Sequence, residues 1–141
     1  MTTIAQRCAA AMWANDAASK WFGFKLEDVT EGRATVTLDV QPHHCNGHGN
    51  LHGGVTFALA DSAFAFACNS RNQVTVAQSN SITYLSPGVV GEVITAQAHE
   101  VTLRGKTGIY DVRVTRPDGT IIAEFRGQSR AVLGTLFEET T

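Results

Sequence analysis

Apolar and polar residues alternate with period two through Ala34-Thr35-Val36-Thr37-Leu38-Asp39-Val40, which predicts a half-buried strand over 34–40. A shorter strand is predicted just upstream, over 24–29, and Pro42 closes the second one. Four more strand-like segments follow in the second half of the chain, at roughly 74–85, 91–104, 106–116 and 120–133. Turn chemistry separates them: Ser86-Pro87-Gly88, then Gly105, then Pro117-Asp118-Gly119. In the last of these, proline presets φ and glycine takes the positive φ that a hairpin turn requires. Residues 4–21 are alanine-rich and stop before Gly23, so they read as one N-terminal helix.

Between the two groups of strands the pattern changes. From Gly53-Gly54 to Ser70 the residues are apolar on every side, which predicts a long buried helix. One carboxylate, Asp61, interrupts it, and no other formally charged residue occurs between Gly47 and Ser70. One long helix and five or six antiparallel strands make an α+β domain in which a single sheet wraps around the helix. The small residues Ala58, Ala60, Ser62, Ala63, Ala65 and Ala67 would let a second helix approach closely.

A buried carboxylate is costly unless it has a partner or a task. At the start of the same helix, the free backbone amides form a ready site for an oxyanion. Together they suggest chemistry at a carbonyl: the N–H of Gly53 or Gly54 on the oxygen, Asp61 at the carbon. Asp61 serves either by attacking the acyl carbon or by drawing a proton from an attacking water. A thioester suits such a site, because its thiolate leaves without a dedicated strong acid. Asn46 on the preceding loop is placed to orient water or the acyl group, and His52 to hold the loop or touch the thioester.

The spacing of these groups requires two chains. Gly53 and Asp61 are eight positions apart, or roughly 12 Å along a helix. A base or nucleophile works within about 3 Å of its target. Two antiparallel helices about a two-fold axis bring residue 53 of one chain to residue 61 of the other, with Phe57 near the axis.

Composition narrows the alternatives. At 141 residues the chain is expected to form one domain, 1–141, and its 43% hydrophobic and 17% charged content suits a globular fold. A net charge of −2 gives no basis for nucleic-acid or membrane-surface binding. There is no signal-peptide pattern, and the apolar helix is shorter than the roughly 17–25 residues of a membrane span. Cys8, Cys45 and Cys68 are expected to be free thiols in a cytoplasmic protein. The loop from His43 to His52 holds four histidines and one cysteine in ten residues. It lacks metal-ligand spacing, so no metal is expected.

The motifs Asn46-Gly47-His48, His52-Gly53-Gly54 and Leu59-Ala60-Asp61-Ser62-Ala63-Phe64 closely resemble those of the hotdog-fold acyl-CoA thioesterases, and within them the phenylacetate-degradation group. Tyr84-Leu85-Ser86-Pro87-Gly88 and Gly105-Lys106-Thr107-Gly108 extend the likeness over most of the chain. The resemblance implies hydrolysis of phenylacetyl-CoA and its ring-hydroxylated derivatives, in a cytoplasmic homotetramer built from two dimers. Coenzyme A enters only as part of the substrate, and no separate cofactor is implied. It implies Asp61 as nucleophile or base, the Gly53 amide as carbonyl polariser, and Asn46, His52, Gly54 and Ser62 as substrate-binding residues. A serine that helps hold water in some relatives is matched here by Ala77, which leaves Ser79 or Ser81 to substitute, or Asp61 to attack directly. The rival readings are a hotdog dehydratase or hydratase and a non-catalytic acyl-CoA-binding module. Arg71, Arg104, Lys106, Arg126 and Arg130 are candidates for the phosphates of a nucleotide-bearing carrier.

Overall fold

A computed structural model describes residues 1–139. Two short helices, α1 (Ile4–Ala14) and α2 (Ala17–Phe22), precede strands β1 (Phe24–Thr30) and β2 (Arg33–Asp39). A loop with a 3₁₀ turn at Pro42–His44 leads into the central helix α3 (Gly53–Cys68). Strands β3 (Thr75–Tyr84), β4 (Val93–Arg104), β5 (Thr107–Thr115) and β6 (Ile121–Ala131) complete the chain. All six strands form one antiparallel sheet in the order β1-β2-β4-β5-β6-β3.

The N-terminal segment departs from the single helix expected over 4–21. Asp16 stops it: its carboxylate accepts from the Ser19 amide at 2.9 Å and from the Ser19 hydroxyl at 2.7 Å, which caps a new helix. Gly23, at φ 86°, then ends α2 in the left-handed conformation.

The core lies between α3 and one face of the sheet. Leu59, Ala63, Phe64 and Phe66 of the helix are buried against Val36, Leu38, Ile94, Val112 and Phe125. Each of these side chains other than Ala63 contributes roughly 1.5–3 kcal/mol by leaving water. Gly127 on β6 is a close-approach glycine, since a Cβ there would stand 2.8 Å from the Phe64 ring. Gly127→Ala is therefore expected to destabilise the fold by about 1–3 kcal/mol, read as a lower midpoint in urea at unchanged slope.

Three contacts tie α3 to β3, which runs antiparallel to it. At the helix C-terminus the Asn69 side chain exchanges two 2.9 Å hydrogen bonds with the backbone of Thr75. At the N-terminus the Tyr84 hydroxyl donates to the Gly53 carbonyl at 2.8 Å. Between them Asn80 reaches Asp61. Eight helical residues and four strand residues both span roughly 12–13 Å, so Gly53–Tyr84 and Asp61–Asn80 fall in register.

The two edges of the sheet differ. Along β1 lie α1 and α2. Among the described residues β3 pairs only with β6, and most of its ten residues are exposed. On α3 the positions not fully covered include Gly54, Phe57, Ala58, Asp61 and Ala65, which recur at helical spacing as one stripe. A long open strand edge beside an apolar helical stripe is the kind of surface that another chain covers. Among the described residues, no helix is long and apolar enough to cross a membrane.

Candidate active site

The site begins at a helix N-terminus with an unusual cap. His52 is extended, at φ −62° and ψ 135°, and its Nδ1 accepts the Gly54 amide at 2.8 Å. The Gly54 N–H is thereby used within the chain. Of the two amides considered above, only Gly53 is left: its N–H has no hydrogen-bond partner among the described residues. The partial positive charge of the α3 dipole concentrates at that amide. Tyr84 crowds this position, since a Cβ on Gly53 would sit 3.3 Å from its ring.

Gly53, Asn46, Thr56, Tyr84 and Ser86 line a groove of about 340 Å³. Asn46 faces this groove from a loop that it also organises. Its Oδ1 accepts the amides of His48 at 3.0 Å and Asn50 at 3.2 Å, and its own N–H bonds the Asn50 carbonyl. That use of the oxygen leaves the side-chain NH₂ as the group available to a ligand.

Asp61 lies midway along α3, half-buried on the incompletely covered stripe. Burial pushes its pKa above the ordinary carboxylate range, and the side-chain hydrogen bond from Asn80 opposes the shift. Such a carboxylate is a stronger base than a solvated one. The thiol of Cys68 on the same helix is pushed up to about 12 by burial and stays protonated, so it is no rival nucleophile.

Other expected residues are placed elsewhere. The Ser62 hydroxyl lies 3.1 Å from that of Ser19 on α2, so it serves the packing of α2 on α3 and is not brought to the groove. Ser79 and Ser81 are also turned away. A bulge between Ala77 and Ser79 reverses the alternation of β3, and these serines share the outer face of the sheet with Gln128 and Arg126. The bulge brings Asn80 inward to Asp61 in their place, at 3.4 Å. Asn80, beside Asp61, and Tyr84, beside Gly53, are positions at the site that sequence reasoning missed, because strict alternation from Ala77 selects the wrong face.

The histidines of the loop are engaged separately. His44 is buried; its Nδ1 accepts the Gln41 amide at 2.9 Å and its Nε2 lies 2.6 Å from the Phe22 carbonyl. His52 caps the helix, and no cluster of three potential metal ligands forms among the described residues. Of the basic candidates, Arg71 is bound to Glu100 and Glu31, and Arg126 to Asp111. Arg104, Lys106 and Arg130 are exposed around the β4–β5 turn, without ion pairs among the described residues.

Comparison with known proteins identifies the family. Residues 48–123, which include both Gly53 and Asp61, match the Thioesterase superfamily. The chain is 41% identical over 140 residues to the acyl-coenzyme A thioesterase PaaI of Escherichia coli K12, covering 99% of each protein. The structure of E. coli PaaI, from the phenylacetic acid degradation operon, superposes with a TM-score of 0.92 over 94% of this chain and 96% of that one, at 40% identity. A Streptococcus mutans protein bound to acetyl-CoA superposes with a TM-score of 0.75 at 26% identity, over 79% of this chain and 90% of that one. On sequence and topology alike, the chain belongs to the thioesterase superfamily, and it is a hotdog-fold thioester hydrolase.

Proposed function

We propose that the protein hydrolyses acyl-CoA thioesters, with phenylacetyl-CoA and its ring-hydroxylated derivatives as the preferred class, in aerobic phenylacetate degradation. The observation that carries this reading is the pairing, on one helix, of an unpartnered Gly53 amide with an Asp61 of raised proton affinity. The full-length likeness to PaaI supports the choice of acyl group.

In this reading the Gly53 N–H and the α3 dipole hold the thioester oxygen, and the stabilisation grows as charge develops on it. Asp61, as general base or nucleophile, drives addition at the carbonyl carbon, and the thiolate departs. Because the two groups lie roughly 12 Å apart in one chain, each site takes Gly53 from one protomer and Asp61 from its partner. The open edge of β3 and the apolar stripe of α3 are the surfaces that such a dimer covers, with Phe57 close to the axis. Two dimers make the homotetramer. Asn46 and His52 border the acyl group, while Arg104, Lys106 and Arg130 are candidates for the phosphates of coenzyme A. The reaction uses no metal and no cofactor beyond the coenzyme A of the substrate. Free thiols at Cys8, Cys45 and Cys68 suit a reducing cytoplasm.

The test is thiol release from a panel of aryl and aliphatic CoA esters. This account expects kcat/KM to be highest for phenylacetyl esters. Hydration of a crotonyl-type ester without thiol release would assign the protein to the dehydratase class instead.

A further inference from the structure

The half of the site built around Asp61 contains a polar atom that the activity described so far does not use. Asn80 donates through Nδ2 to Asp61 Oδ1 at 3.4 Å, while its own Oδ1 is buried and has no hydrogen-bond partner among the described residues. Turning the amide over would set two acceptors against each other, because an ionised carboxylate only accepts. A buried, unsatisfied amide oxygen costs about 1–3 kcal/mol, and such an atom calls for an explanation. It is held here by design of the strand. The bulge at Gln78 turns Asn80 to the inner face, opposite Gly127, whose missing side chain leaves room beside the Phe64 ring.

The geometry points to Asn80 as the residue that holds the attacking water: Asp61 accepts one of its hydrogens and the Asn80 Oδ1 accepts the other. This rests on the thioesterase reading above and gives it a mechanism. Two fixed acceptors orient the water so that its remaining lone pairs face the acyl carbon. As the water oxygen bonds to that carbon, one water proton passes to the Asp61 carboxylate and the carbonyl electron pair moves onto the oxygen held by Gly53. When the adduct collapses, the C=O re-forms and the C–S bond breaks. The proton on Asp61 goes to the departing sulfur, giving a carboxylic acid and the free thiol of coenzyme A. Asp61 is thus the general base. The Asn80 Nδ2 keeps its carboxylate ionised and aimed, while burial keeps it basic.

The experiment measures kcat, KM and the pH profile of kcat/KM for phenylacetyl-CoA with Asn80→Leu, Asn80→Ala and Asn80→Ser. The leucine and alanine variants are expected to lose kcat by about 10²-fold, the scale of a misplaced reacting group, with KM changed less than about two-fold. Loss of the Nδ2 donor moves the acid limb of the profile to higher pH, which a purely structural role would not do. Serine keeps a hydroxyl on the inner face and is expected to recover part of kcat. Parent-like kcat in Asn80→Ala, or an unmoved acid limb in both apolar variants, would overturn the assignment while leaving the thioesterase reading intact. Thiol release by Asp61→Asn as fast as the parent's would remove Asp61 from the mechanism, and a parent that releases no thiol would overturn the thioesterase reading itself; the failures are told apart in the same assay.

Discussion

Asp61→Asn lowers kcat for thiol release by roughly 10²–10⁴-fold, the range a positioned acid–base group contributes. KM changes little, because the amide keeps the shape and the hydrogen bonds that a bound thioester meets. The variant cannot take the proton of an attacking water, and its neutral amide is a poor nucleophile, so the loss is expected by either route. The parent is expected to show an acid limb shifted upward from that of an ordinary aspartate, because burial raises the pKa of Asp61. Activity falls as pH drops through that raised value. Stability runs the other way. An acid whose folded pKa lies above its unfolded one costs nothing at low pH, where both states are protonated. Its burial begins to destabilise as pH rises past the unfolded value of about 3.9, and the penalty is complete above the raised folded pKa. At neutral pH the variant is therefore nearly inactive and melts higher than the parent; below pH of about 3.9 the stability difference disappears. Thermal melts at the two pH values, beside steady-state kinetics, check both halves.

The second large effect concerns a backbone atom that no ordinary side-chain substitution removes. Gly53 is the first residue of α3, the position where proline is tolerated because its missing N–H has no intrahelical partner. The preceding residue, His52, already has the extended conformation that a following proline requires. Gly53→Pro therefore deletes the oxyanion donor and keeps the helix. The Tyr84 ring, 3.3 Å from an added Cβ, has to give by a few tenths of an ångström. The expected loss is about 10²–10³-fold in kcat, with circular dichroism like that of the parent. Gly53→Ala keeps the amide, meets the same ring and is the control; it retains most of the activity.

Much of this architecture was legible because it rests on period and punctuation. The alternation over 34–40 became β2, the glycine-led apolar run became α3, and the turn at Pro117-Asp118-Gly119 formed with Gly119 at φ 89°. The pairing of Gly53 with Asp61 on one helix was visible as well, since both lie within a single uninterrupted pattern. What escaped depends on contacts distant in sequence or on local breaks in register. Asp16 cuts the N-terminal helix by capping its second half, a competition that alanine content does not reveal. The bulge between Ala77 and Ser79 shifts every later β3 side chain to the opposite face, which hides Asn80 and promotes Ser79 and Ser81. Ser62, one turn-fraction away from Asp61, is claimed by Ser19 from 43 positions upstream.

The sharing of each site between two protomers is tested most directly by mixing the two disabled proteins. Asp61→Asn and Gly53→Pro homodimers, each nearly inactive, are dissociated together and reassociated. In every mixed dimer one site carries both lesions, while the other joins an intact Asp61 to an intact Gly53. Random reassociation makes about half of the dimers mixed, so activity is predicted to return to about one quarter of the parent's. If the amide and the acid acted within a single chain, every protomer in the mixture would still carry a lesion, and activity staying at the level of the separate variants would contradict the account.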